Sequence, residues 1–150
     1  MKPRLNYSKV APGVYDAMDA LDQYLASCGL EESLLHLARL RASQLNGCAY
    51  CIDMHTKDAR AVGETEQRIY ALPAWRETPY FTARERAALA FTEAVTLVAD
   101  THVPDGAYRE VAAEFSPAEI GALVSLIVTI NAWNAIGVAT RAWEPGSYQP

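Results

Sequence analysis

The chain has 150 residues, of which 51% are hydrophobic and 21% charged, and its formal net charge is −5. That is enough apolar material for one buried core and too much for a disordered chain. The acidic balance, with Lys and Arg interleaved among Asp and Glu, leaves no basic patch for nucleic acid.

Residues 1–6 carry Lys2 and Arg4 without the apolar run of a secretory leader, so a cytoplasmic location is expected. Residues 1–11 read as an irregular N-terminal arm ending at Pro12 and Gly13. Residues 14–28 place Val14, Met18, Leu21 and Leu25 at helical spacing, with Gly29 as a stop. Residues 31–45 form a second helix, in which Leu34, Leu35, Leu37, Ala38, Ala42 and Leu45 lie mostly on one side. Asn46 and Gly47 break the chain. A third helix is expected from about Cys48 to Val62, closed by Gly63.

Residues 65–72 read as a short helix stopped by Pro73, and residues 75–81 as a loop. Thr82 followed by Glu85 is a capping-box pattern, which predicts a long helix to about Asp100. Pro104, Asp105 and Gly106 turn the chain into a helix over residues 107–115. Ser116, Pro117 and Glu119 signal another start, and the last helix is expected over residues 118–143, ended by Pro145 and Gly146. No alternating strand pattern occurs. The expected fold is all-α: one domain, residues 1–150, built as a bundle of about six to seven helices.

Residues 120–140 carry no charge and are long enough to span a bilayer. Ser125, Thr129, Asn131, Asn134 and Thr140 would be costly in lipid, and Glu119 and Glu144 flank the segment. A buried helix at the domain centre or at a subunit interface is therefore expected, not a membrane span.

Three cysteines are present. In a reducing compartment, Cys48 and Cys51 at Cys-x-x-Cys spacing point to redox or metal chemistry, while Cys28 stands apart as a bystander. On a helix starting at Cys48, His55 falls on the same stripe as both thiols. First-turn N–H groups favour a thiolate at Cys48, and the His55 imidazole can take a proton from Cys51. One thiolate can be oxidised to a sulfenic acid by a peroxide, and the second thiol can then close the disulfide. As a metal site the motif supplies only three ligands, to which His36 or His102 would have to be added, so no metal or cofactor is expected. Tyr50, Met54 and Trp133 are candidates for an apolar channel to the thiols, with core packing as the simpler reading.

Residues 37–60 (LARLRASQLNGCAYCIDMHTKDAR), with Gly63, residues 64–68, 75–78 and 84–90, and residues 130–134 (INAWN), resemble the alkyl hydroperoxidase D-like proteins of the carboxymuconolactone decarboxylase superfamily. The resemblance covers most of the chain after about residue 10. It implies an all-helical homo-oligomer, a trimer or hexamer, with peroxidase or disulfide-reductase chemistry. Its partners would be a peroxide and a thiol or disulfide reductant, with no nucleic acid or membrane. It also implies Cys48 and Cys51 as the redox pair, with Cys51 attacking the peroxide, and His55 in a proton relay. The decarboxylase branch generally lacks the dithiol. Two positions depart from the pattern: His36 stands where the family has the glutamate that feeds the relay, and Tyr50 where it has a histidine. His36 is thus either a replacement base or a polar-face bystander. The expected activity is a thiol-dependent peroxidase acting on organic or hydrogen peroxides. The alternatives are a disulfide reductase serving a partner peroxidase, or a helical oligomer that binds a partner or metal through the same motif.

Overall fold

A computed structural model describes residues 2–150, so residue 1 of the expected arm lies outside the described residues. Among the described residues there are nine α-helices, one 3-10 helix and no strand. The helices are α1 (Tyr7–Val10), α2 (Pro12–Leu25), α3 (Glu32–Asn46), α4 (Ala49–Ala61), α5 (Glu66–Ala71), α6 (Ala83–Thr96), α7 (Val98–Thr101), α8 (Asp105–Glu114) and α9 (Pro117–Thr140). The count exceeds six to seven because short pieces flank the long ones. The arm contains α1, capped by the Asn6 side chain. The expected loop after Pro73 is partly a 3-10 helix over Leu72–Glu77, where proline sits in the first turn and needs no N–H partner. The helix expected to reach Asp100 breaks at Leu97, which no glycine or proline announces; α7 follows directly.

Helix α3 is the central element. Through Leu34, Leu35 and Ala38 it joins a core completed by Leu25 of α2, Phe91 of α6, Val111 of α8 and Leu123, Leu126 and Ile127 of α9. Through Leu37 and Leu40 it joins a second core with Ala59 of α4, Ile69 of α5, Leu72 and Trp75 of the 3-10 helix, Phe81, and Leu89 of α6. The Arg41 guanidinium bonds Glu93 of α6 at 2.7 Å and locks that side of the helix. The predicted capping box forms at Thr82–Glu85, and a second one forms at the predicted helix start, Ser116–Glu119.

Helix α9 is long and apolar enough to cross a membrane by length and composition. Ile120, Leu123, Leu126, Ile127, Thr129, Ile130 and Asn134 are nevertheless buried in the protein. The helix ends at Thr140, not near residue 143, because Arg141 turns left-handed (φ 52°). The arm returns to this end, where the Arg4 and Leu5 N–H groups donate to the Thr140 carbonyl at 2.8 and 3.2 Å. Of the apolar stripe on α2 only Leu25 is buried, while Val14 and Leu21 are 51% and 40% exposed.

Candidate functional site

The site begins at the end of α3. Gly47 adopts φ +66°, the left-handed conformation that ends helices, and its N–H bonds back to Gln44. The Cys48 N–H bonds to the Ser43 carbonyl at 3.1 Å. Cys48 is therefore the N-cap of α4 and lies outside the helix, so the expected three-residue stripe reduces to Cys51 and His55, one turn apart. The peptide carbonyl of Cys48 accepts from Ile52 at 2.9 Å and starts the helix. Cys48 is the N-cap and Cys51 lies in the first turn of α4, at the positive end of the helix, where negative charge is favoured.

Cys48 and Cys51 are joined in a disulfide, with Cα atoms 5.3 Å apart. Both residues are buried, whereas Cys28 is a free, half-buried thiol elsewhere. Polar contacts between α3 and α9 hold the turn. Asn134 donates through Nδ2 to Ser43 Oγ at 3.0 Å, and its Oδ1 accepts from Asn46 at 3.0 Å; Asn46 also donates to Asn131 Oδ1 at 2.8 Å. Asn134 is 1% exposed and its bond to Ser43 is fully buried, while the Asn46 end of the network reaches the surface. Helix α9 then passes Cys48 at Gly137, where an added Cβ would lie 3.2 Å from the sulfur.

Cys51 and His55 line a cavity of about 170 Å³ with Tyr15, Asp19, Asp22, Arg39, Tyr50, Met54, Ile130, Trp133 and Trp143. Tyr50, Met54 and Trp133 thus sit around it. Trp133 stacks edge-on against Tyr15 and Trp143, with centroids 5.3 and 5.8 Å away, and its indole N–H donates to Asp22 at 2.6 Å. Arg39 bonds the other Asp22 oxygen at 3.0 Å. Cys48 faces a separate groove of about 320 Å³ lined by Arg4, Gly47, Ala49, Gly137, Arg141 and Trp143, among others.

His55 is 5% exposed. Its Nδ1 lies 3.6 Å from Asp58 Oδ2, too far for a hydrogen bond, and neither ring nitrogen has a partner among the described residues. Burial pushes the His55 pKa below its ordinary value, more than the nearby Asp58 carboxylate raises it, so the imidazole is neutral near pH 7. His36 of α3 faces His55, with ring centroids 6.4 Å apart; burial and the neighbouring His55 lower its pKa too. For Asp58, burial acts upward, but His55 and the Tyr148 hydroxyl outweigh it and hold the carboxyl below its usual range. Tyr148 donates to Asp58 Oδ1 at 2.7 Å. The C-terminal segment is strapped to α4 by two further bonds, Lys57 to the Tyr148 carbonyl at 2.9 Å and the Gly146 N–H to Asp53 at 3.0 Å.

Sequence reasoning missed Asp58, Tyr148, Asp22, Arg39, Tyr15 and Trp143. Asp58 had a readable signal, lying one helical turn beyond His55. The others reach the site only through tertiary packing.

Comparison with known proteins agrees with this architecture. The profile of the carboxymuconolactone decarboxylase family matches residues 12–94. The uncharacterized protein YdfG of Bacillus subtilis (strain 168) is 41% identical over 139 residues, covering 93% of this chain and 95% of that protein. A crystal structure of ATU0492 from Agrobacterium tumefaciens, a protein of unknown function with a suggested assignment as antioxidant defence protein AhpD, superposes with a TM-score of 0.92. That match has 45% identity and covers 96% of this chain and 99% of the other. The debrominase Bmp8 shares the fold alone, at a TM-score of 0.81 and 19% identity over 90% of this chain and 73% of its own. With this fold and the Cys48–Cys51 motif in place, the chain belongs to the carboxymuconolactone decarboxylase family and is AhpD-like.

Proposed function

We propose that this protein is a thiol-dependent peroxidase of the cytoplasm, reducing organic or hydrogen peroxides through Cys48 and Cys51. The observation that carries the reading is a dithiol pair closed as a disulfide, with Cys51 and the buried His55 on the wall of an aromatic-lined cavity.

In the reduced enzyme, His55 moves the Cys51 proton away. The Cys51 thiolate attacks the terminal peroxide oxygen and the O–O bond breaks. The alkoxide leaves as the alcohol once protonated, and Cys51 becomes a sulfenic acid. The Cys48 sulfur then attacks Cys51, forming the disulfide and releasing water. An external dithiol restores both thiols by exchange and is itself oxidised. Helix-end electrostatics favour charge on either sulfur; the cavity favours Cys51 as the attacking one, since Cys48 opens to the other groove. That division supports peroxide arriving on the Cys51 side and reductant on the Cys48 side. The depth of both sulfurs, 2% and 3% residue exposure, favours a small peroxide over a protein disulfide as substrate.

The uncovered apolar stripe of α2, with Val128 and Val138 exposed on α9, supports a homo-oligomer in which a second copy covers these faces. A coupled assay of peroxide consumption with a dithiol reductant tests the activity. Turnover that Cys51→Ser abolishes is expected, and full turnover in that variant would overturn the mechanism.

A further inference from the structure

Behind the cavity wall, His36, His55 and Asp58 form a cluster that the peroxide chemistry only partly uses. One ligating atom from each lies within 4.8 Å of the other two. The residues come from two elements, His36 from α3 and the other two from adjacent turns of α4, so helix packing sets the arrangement. His36 Nδ1 and both His55 nitrogens are buried without a hydrogen-bond partner among the described residues. Buried polar nitrogens are nearly always satisfied, and three in one place call for an explanation. Asp58 Oδ2 lies 3.6 Å from His55 Nδ1, while its other oxygen is held by the Tyr148 hydroxyl at 2.7 Å.

From this geometry we infer that His36, His55 and Asp58 form a binding site for a divalent first-row transition ion, zinc foremost. Two neutral imidazoles and one carboxylate are an established donor set for such ions. Metal–ligand bonds of about 2.0–2.1 Å place tetrahedral ligand atoms about 3.4 Å apart. The His55–Asp58 separation of 3.6 Å nearly matches, and the other spacings, all within 4.8 Å, need to close by at most about 1.4 Å through side-chain rotation. Tyr148 supplies the outer contact that orients a ligating carboxylate. Three protein ligands leave a position open for water. The site uses no thiolate, so it is available when Cys48 and Cys51 are joined. Under the peroxidase reading, an ion here also removes His55 from proton transfer and inhibits turnover.

The test is equilibrium dialysis of zinc chloride against the disulfide form and against a Cys48→Ser/Cys51→Ser double variant, so that thiolate binding contributes to neither. One zinc per chain, removed by chelator, is expected in both. His36→Gln and Asp58→Asn should each weaken binding by about tenfold or more, while His102→Gln leaves it unchanged. Circular dichroism confirms that each variant is folded, and either one alone decides the question. No zinc retained by the disulfide form, or equal affinity after His36→Gln or Asp58→Asn, overturns the assignment whether or not the protein proves to be a peroxidase.

Discussion

Replacing His55 with leucine should make the protein more stable and nearly inactive. The neutral imidazole carries one N–H donor and one acceptor nitrogen, and neither is bonded among the described residues. Each buried, unpaired polar group costs about 1–3 kcal/mol relative to an apolar one. Leucine removes both penalties, a gross gain of about 2–6 kcal/mol. An imperfect fit of the new side chain takes back about 1–2 kcal/mol, and the weak attraction to Asp58 at 3.6 Å is lost. At the middle of these ranges the net expectation is a stabilisation of about 2 kcal/mol, which in a chain of this size raises Tm by roughly 4–8 °C. The loss of proton transfer should meanwhile lower turnover by about 10²–10⁴-fold. Thermal unfolding of chelator-treated wild type and variant, followed by circular dichroism beside a peroxide assay, checks both halves. A lowered Tm would refute the orphaned-imidazole reasoning, and retained turnover would remove His55 from the relay.

Asn134→Ala should cost about 2–4 kcal/mol, from one buried and one part-buried hydrogen bond and an amide-sized void between α3 and α9. Urea denaturation measures it, and a loss below about 1 kcal/mol would mean that the network does not brace the turn before Cys48. Stability should fall on acidification below the ordinary histidine pKa of 6.5. Both His36 and His55 have lowered pKa values in the folded chain, so the unfolded chain takes up protons first. The stability they supply is complete above 6.5 and is lost as pH falls through their folded-state values. Urea midpoints at about pH 7.5 and about pH 5.5 test this sign, and an unchanged or higher midpoint at the lower pH contradicts it. His36→Glu should raise peroxidase activity below neutral pH, because a carboxylate beside His55 favours the imidazolium that a thiolate pairs with. An unchanged pH–rate profile would place His36 outside the relay.

Features written in a few neighbouring residues were the legible ones. The two capping boxes and the left-handed Gly47 appear where the residues announce them, because each is satisfied within one turn. The i, i+4 relation of Cys51 and His55 is likewise local. Cys48 was misplaced by one position, and its role changed from helical residue to cap. The break at Leu97 and the left turn at Arg141 carry no local signature, and they set the end of α6 and the return of Trp143 onto Trp133. The stripe on α2 has helical periodicity, but periodicity does not say which chain covers it. His36 beside His55, Asp22 under Trp133 and Tyr148 on Asp58 are tertiary meetings across gaps of 19, 111 and 90 residues. No window of the sequence contains them.

The most direct measurement is a count of free thiols per chain in the fully reduced protein, before and after one equivalent of a peroxide. The mechanism predicts that three fall to one, with Cys28 remaining, and that a dithiol returns the count to three. A count that stays at three, or that drops by one and does not recover, would contradict a reversible Cys48–Cys51 couple.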